Sequence, residues 1–590
     1  MFLCKQVMFH PLTNTTQLEA CLRKVFNFIT LSLGRRCFIL FFSRFLRDRP
    51  LFVIFLLSVL YSCLFTSLSF TNHYSFRTLA GDLGIFNQAL YSSLNFGLLF
   101  YDTIELGSHF QFHFDPILFL ILPIYSFAQT PLLLLAIQSI ALGFAAVPAF
   151  LISRAVLKSG SLALLISLCY LLNPSIHGIN LYDFHPDCFF PLLFFSSLLF
   201  IERGRLLKSA FCMFLALMCK ETAAFTVAAI GVYVAWAYRK EIPWRSLVKL
   251  EFKGAFSSRY LSFATLTVVL GVGWFVLASC MFPSVISADR HAFSWSYLGI
   301  GLVGVAKSFL TNPVGSLHAA FTPTPVKFFL LKLLHGKYFS DQLLLALVLA
   351  EPSMKSYYLL QLFFPFAFLP LMSPAVLLPA IPWILLNLSS VTPTHYTAVG
   401  YQYPSLLVPF IFFASVHATK NLVSLSWKFV SKINLAPHLV KAFYTKGGAF
   451  FCLTLVVLLC SFASFYLWSP VWLVEGGTPR DQVLHAVTSS IPPYFTVSTQ
   501  GDLFPHLTPS LNLYLGHYTF MPTEYYDILV LDTCSPWYYL SGSGGLRLFY
   551  DRLAPSELAT MLLASDNYTI LFNFDGVLVI GRANLTQFSP

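Results

Sequence analysis

Charge is scarce in this chain. Of its 590 residues only 10% are Asp, Glu, Lys or Arg, whereas 57% are hydrophobic. Water-soluble chains carry about a quarter charged residues. With a mean hydropathy of +0.72, one folded core cannot hide this much apolar surface, so lipid must solvate part of it. A disulfide framework is also missing. The 12 cysteines fall mostly in apolar stretches (Cys63, Cys169, Cys212, Cys219, Cys280, Cys452, Cys460), and only Cys534 lies in a soluble-looking tail. Buried in a bundle, such residues act as small hydrophobes. The N-terminus lacks the shape of a cleavable signal, because its charges lead straight into a full-length apolar run. No second half echoes the first, as the halves of many transporters do.

The net charge is +11, yet no basic stripe interleaved with aromatics marks a nucleic-acid surface. The basic residues instead flank apolar runs: Arg44, Arg47 and Arg49; Arg203, Arg205 and Lys208; Arg239, Lys240 and Arg245; Lys420, Lys428, Lys432 and Lys441. That is the positive-inside pattern, which keeps Lys- and Arg-rich loops cytoplasmic.

The first apolar run, 51 to 70, follows Pro50 and is long enough to cross a bilayer at about 1.5 Å per residue. The polar stretch 71 to 115 then lies outside. Further spans are expected at 131 to 153, 161 to 176, 188 to 202, 261 to 282, 357 to 372, 374 to 388, 404 to 419 and 447 to 469. The run 116 to 128 reads as a short re-entrant helix, and 209 to 238 as two short helices interrupted by Lys220 and Glu221. The expected architecture is an α-helical polytopic membrane protein of about 11 transmembrane helices. A cytoplasmic or interfacial segment, 1 to 49, precedes the bundle of 50 to 469, which has outer loops at 71 to 115 and 283 to 340. Residues 470 to 590 read as a small extracytoplasmic α/β domain. Its expected strands lie at 495 to 500 and 526 to 532, a helix at 546 to 563, and a hairpin turns at Asp575-Gly576. Asn567-Tyr-Thr and Asn584-Leu-Thr are sequons that chance also explains.

Four polar groups fall at the expected outer face. Asp82, between Gly81 and Leu83-Gly84, suits a general base that takes a proton from an acceptor hydroxyl; equally, Asp is a favoured helix cap. His113 and Asp115, ahead of Pro116, share a direction in an extended segment and could hold a metal or phosphate, or else cap the helix at a wet interface. Asp183, His185 and Asp187 at alternate positions are candidate ligands for a divalent cation (Mg or Mn), an acid/base pair, or a plain interfacial turn. Lys220 and Glu221 sit at membrane depth, where ionisable residues face the protein interior; a structural pair at the interface is the plain alternative. Adjacent helical residues do not face each other, so the two have different partners. His395 and Tyr396, with Tyr401 and Tyr403, add donors and stacking rings where aromatic girdles also occur.

These motifs together resemble a prokaryotic family of predicted multi-spanning membrane proteins defined as a domain of unknown function. The resemblance rests on Asp-Leu-Gly-Ile-Phe-x-Gln at 82 to 88, His-Phe-x-Pro at 113 to 116, Asp-Phe-His-Pro-acid at 183 to 187, Lys220-Glu221 and His395-Tyr396. Pro-His-Leu at 505 to 507 and Tyr-Asp-Ile-Leu-Val-Leu-Asp at 526 to 532 extend it, so that it covers most of 75 to 540. Asn87 stands where that family has Asp, and Asp115 where it has Ser. The family in turn is similar to GT-C glycosyltransferases, which use polyprenyl-phosphate sugars and keep an acidic residue in the first outer loop. The resemblance implies a GT-C-like bundle in the plasma membrane, with Asp82 catalytic and His113, Lys220, Glu221, His395 and Tyr396 binding substrate or phosphate. A polyprenyl-phosphate sugar would be the donor, and a glycan, protein or lipid hydroxyl the acceptor. The competing expectation is a transporter or non-catalytic membrane protein whose Lys220-Glu221 pair lines a path.

Overall fold

A computed structural model describes residues 48–249, 258–281, 292–299, 301–335, 341–430, 446–515, 526–534, 563, 567–583 and 585. Nearly all of the N-terminal segment, most of the helix expected at 546 to 563 and the sequon at Asn584 lie outside the described residues.

The first described helix runs Arg49–Tyr74. Asp48 caps it by accepting from the Leu51 amide at 3.4 Å, and Pro50 occupies the first turn, where its missing N–H costs nothing. Its neighbour Pro131–Leu157 packs along it, and the Ser62 hydroxyl donates across the seam to Ser139 O at 3.3 Å. Small polar side chains of this kind let membrane helices approach closely.

Among the described residues, six helices are long and apolar enough to cross a membrane: Arg49–Tyr74, Pro131–Leu157, Arg259–Ala278, Gln342–Phe366, Tyr403–Leu422 and Cys452–Leu473. A seventh span results if Gly160–Leu171 and Pro174–Leu181, bent by 46°, count as one. Against the expectation of about eleven, six or seven helices among the described residues have that length and hydropathy, and the shorter apolar helices Leu206–Leu217, Ala223–Ala237 and Pro374–Ser389 lie between them. Asn173-Pro174 breaks one run, Phe190–Glu202 falls where a span is expected at 188 to 202, and Leu206–Leu217 and Ala223–Ala237 are the two short helices expected on either side of Lys220-Glu221. The span expected to start at 357 begins earlier, as helix Asp341–Phe363. Glu351, Pro352 and Lys355 mask that helix in the sequence, and in the fold the two charged side chains are buried.

Within the first loop, strands β1 (Tyr101–Asp102) and β2 (Gly107–Ser108) form a short hairpin. Among the described residues, five more strands follow the span Cys452–Leu473: β3 (Val497–Thr499), β4 (Leu513–Leu515), β5 (Ile528–Asp532), β6 (Tyr568–Phe574) and β7 (Val577–Arg582). They form one sheet in the order β4-β3-β5-β7-β6, with β3 parallel to β4 and β5, and β7 antiparallel to β5 and β6. The β6–β7 turn falls at Asp575-Gly576, both at positive φ (50° and 76°), as a tight two-residue hairpin requires. A helix, Pro479–Ser490, opens this region through a capping box of Thr478 and Asp481.

The sheet region packs directly on the first loop. Phe76 and Ala80 share a buried apolar cluster with Leu484, Val487, Leu503, Phe504, Val530 and Val579. Ala80 N donates to Gly501 O at 2.7 Å, and Gln88 Nε2 to Ser510 O at 2.6 Å. An Arg77–Glu475 ion pair adds to the seam.

Candidate active site

Asp82 lies in a wide turn, Ala80–Gly84, whose backbone bonds span five residues: Gly84 N donates to Leu79 O and Ile85 N to Ala80 O. Such turns often mark functional positions. Two neighbours hold it in place. The Asp183 carboxylate accepts from Leu79 N at 3.1 Å, and Gly501 O accepts from Ala80 N on the other side. The capping alternative for Asp82 is not what forms, since the helix Ile85–Phe96 has Gly84 as its N-cap without a side-chain bond. Asp82 instead accepts from the Tyr182 hydroxyl at 2.5 Å through one oxygen and meets His185 Nε2 at 3.0 Å through the other. Its side chain stays 21% exposed.

His185 Nδ1 faces the Asp183 carbonyl at 3.3 Å, so both ring nitrogens point at acceptors, the arrangement that suits a doubly protonated imidazolium. The ring stacks on Tyr182, with centroids 5.3 Å apart. Behind it stands Gln138, a lone amide in an apolar helix. Its Nε2 donates to the carbonyls of Ile179, Asn180 and Asp183 at 3.0–3.1 Å, and its Oε1 accepts from His185 N at 3.0 Å. The last carbonyls of Pro174–Leu181 are thereby satisfied away from water, and the 182–187 connector is fixed.

Lys220 and Glu221 occupy the break between Leu206–Leu217 and Ala223–Ala237. Lys220 Nζ donates to Asp187 at 3.2 Å, whereas Glu221 faces His113 Nδ1 at 3.3 Å and accepts from Phe114 N at 3.1 Å. The first loop itself fills the break: Ile117 N donates to Met218 O at 2.9 Å. Irregular backbone at this depth is stable because another segment supplies its missing hydrogen bonds.

The fold thus gathers Asp82, His113, Asp183, His185, Asp187, Lys220 and Glu221 into one polar centre. Asp187 links its two halves, two residues from His185 and paired with Lys220. Aromatic contacts extend the centre from Tyr182 to Tyr401 (5.1 Å), on to Tyr403 (6.4 Å) and to His395 (4.7 Å). His395 stacks on Trp295 and bonds Ser390 Oγ at 2.7 Å. Tyr396 is buried under the Lys355 ammonium, 5.0 Å from its ring centroid.

The trio Asp183, His185 and Asp187 does not converge as an ion cage. Each has a different partner: Asp183 the Leu79 amide, His185 the Asp82 carboxylate, Asp187 the Lys220 ammonium. Alternate spacing in a kinked connector splays the side chains instead of aligning them, because the common direction requires an extended strand. Among the described residues the group whose ligand atoms do converge is Asp102, Glu105 and His109. Asp115 accepts from His109 Nε2 at 3.4 Å, and helix Leu118–Tyr125 has no side-chain cap.

Sequence reasoning missed Gln138, Tyr182 and the buried triad Lys327–Glu351–Lys355, in which both ammonium groups donate to Glu351 and to Ala320 O. A polar residue isolated in an apolar run, as Gln138, Glu351 and Lys355 each are, was the available signal.

The fold and site define a polytopic helical membrane protein with an acid–imidazole–ammonium centre under its first loop. The chain belongs to the family described as predicted membrane protein (DUF2079), whose model matches residues 72–537. No curated protein matches the chain. Among solved structures, it is similar to ArnT from Cupriavidus metallidurans in two states. The form bound to undecaprenyl phosphate has a TM-score of 0.44 and the apo form 0.43. Each is 12% identical over 88% of this chain and 97% of the other.

Proposed function

We propose that the protein is a GT-C-type membrane glycosyltransferase that moves a sugar from a polyprenyl-phosphate donor to an acceptor hydroxyl on the extracytoplasmic side, with Asp82 as general base. One observation carries the reading: a partly exposed carboxylate is fixed by Tyr182 and His185 beside a buried Lys–Asp pair. Carboxylates set rigidly in this way are suited to proton abstraction, since orientation is fixed before the substrate arrives. The acceptor oxygen attacks the anomeric carbon, the bond from that carbon to the phosphate oxygen breaks, and configuration inverts. The hydroxyl proton passes to Asp82, and the electron pair leaves with the lipid phosphate. Lys220 uses one of its three N–H groups on Asp187 and keeps others for the departing anion. His113, 30% exposed and backed by Glu221, adds a second donor at the same face.

The test is Asp82→Asn in cells and in purified protein. Transfer falls by about 10²–10⁴-fold, the usual contribution of a general base, while the protein still accumulates in the membrane. Cells carrying Asp82→Asn that retain every glycoconjugate lost by a deletion strain would overturn the assignment.

A further inference from the structure

The hairpin of β1 and β2 gathers more negative charge than its surroundings balance. Asp102 is fully buried, Glu105 has 13% of its side chain exposed, and His109 and Asp115 have 3% and 5%. The three carboxylates surround one imidazole, which even doubly protonated offsets only one of them. Among the described residues no Lys or Arg pairs with Asp102 or Glu105. One oxygen of Asp102 accepts from the amides of Ile104 (3.0 Å) and Glu105 (2.7 Å), while the other, Oδ2, is buried without a hydrogen-bond partner. A buried, unsatisfied carboxylate oxygen is costly and calls for a cation or a proton.

The geometry points to a divalent first-row metal ion, of the Zn²⁺ or Mn²⁺ kind, bound by Asp102, Glu105 and His109. Their ligand atoms all lie within 4.8 Å of one another, which allows a single ion about 2.0–2.2 Å from each. His109 is oriented for this. Nδ1 faces Glu105 at 3.1 Å, and Nε2 faces Asp115 at 3.4 Å. With Nε2–H donated to Asp115, Nδ1 carries the lone pair and faces the ligand cluster, giving the carboxylate–histidine–metal relay that fixes ring tautomer and angle. Two carboxylates and one imidazole suit a borderline ion better than Ca²⁺ or Mg²⁺, which take oxygen-only shells. The cage is held before the metal arrives. Thr103, inside the turn, bonds Gln88 Oε1 through its amide at 2.9 Å and Leu513 O through its hydroxyl. This site is separate from the Asp183, His185 and Asp187 trio and does not rest on the transferase reading.

The experiment uses full-length protein in detergent micelles, stripped with chelator and titrated with Zn²⁺ or Mn²⁺, with Mg²⁺ as comparator. Calorimetry is expected to show about one ion bound per chain, and thermal unfolding to shift upward with that ion and not with Mg²⁺. Glu105→Gln, at the most accessible of the ligands, should lose the shift. Asp115→Asn should weaken affinity by about 10–100-fold without abolishing it. For Mn²⁺, pulsed electron resonance should detect one coordinated nitrogen, lost in His109→Gln. Wild-type protein that binds neither Zn²⁺ nor Mn²⁺, or variants that bind as wild type does, would overturn the proposal. Because the readout is binding and not transfer, its failure and that of the transferase reading are separately visible.

Discussion

At the scale of single residues, ion pairing explains why so many charges survive in an apolar interior. Asp187 is buried against Lys220, and Glu221 against His113. Removing one partner of such a pair leaves the other charged and desolvated, which costs more than losing both. Lys220→Met is therefore expected to destabilise the protein by about 3–5 kcal/mol. The double variant with Asp187→Asn should recover much of that loss, as a thermal-unfolding cycle in detergent will measure. The types of these residues were legible in the sequence, because a carboxylate or ammonium in an apolar run needs a reason. Their partners were not. Asp82 and Tyr182 are 100 positions apart, and His113 and Glu221 are 108, and no periodicity encodes contacts at that range.

At the scale of elements, close approach decides where the centre sits. Gly84 faces the Phe504 ring, and an added Cβ would lie 2.8 Å from it. Gly84→Ala should push the ring away at a cost of about 1–3 kcal/mol, seen as a lower unfolding temperature and easier proteolysis between the last span and the sheet. Gly178 likewise lets the backbone of Pro174–Leu181 touch that of Val399 and Gly400, which sets Tyr182 against Tyr401. Long uninterrupted spans such as Arg49–Tyr74, and the strands 526 to 532 and 568 to 580, were readable from apolar run length and turn residues. The short helix Leu206–Leu217 buries Cys212, Met213, Ala216 and Leu217 but leaves Leu207 and Phe211 exposed, and run length alone cannot separate burial by neighbours from lipid contact.

At the scale of the whole molecule, the sheet region and the first loop are held by stacked histidines. His506 lies between His73 (4.1 Å) and Phe76 (4.0 Å), with His485 at 5.4 Å. Burial, then repulsion from His73 and His485, keeps its imidazole well below the ordinary histidine range. His73 bonds Thr78 Oγ1 and His485 bonds Tyr74 O. A neutral folded-state imidazole that protonates on unfolding contributes stability present above a pH of about 6.5 and lost as pH falls below it. The unfolding temperature should thus drop on acidification from about pH 7 to about pH 5, and His506→Phe, which keeps the stack, should flatten that slope.

The seam has a consequence for biosynthesis. Gln88 reaches a carbonyl 422 positions downstream, and Ala80 is pinned by Gly501. A ribosome has therefore translated as far as residue 501 before the turn bearing Asp82 meets its second anchor. During insertion into the bilayer Asp82 waits in a half-built setting, so a chain stalled before residue 500 would carry the polar side chains without their alignment. The centre is then completed only when the sheet region folds onto the first loop, a delay written into chain order.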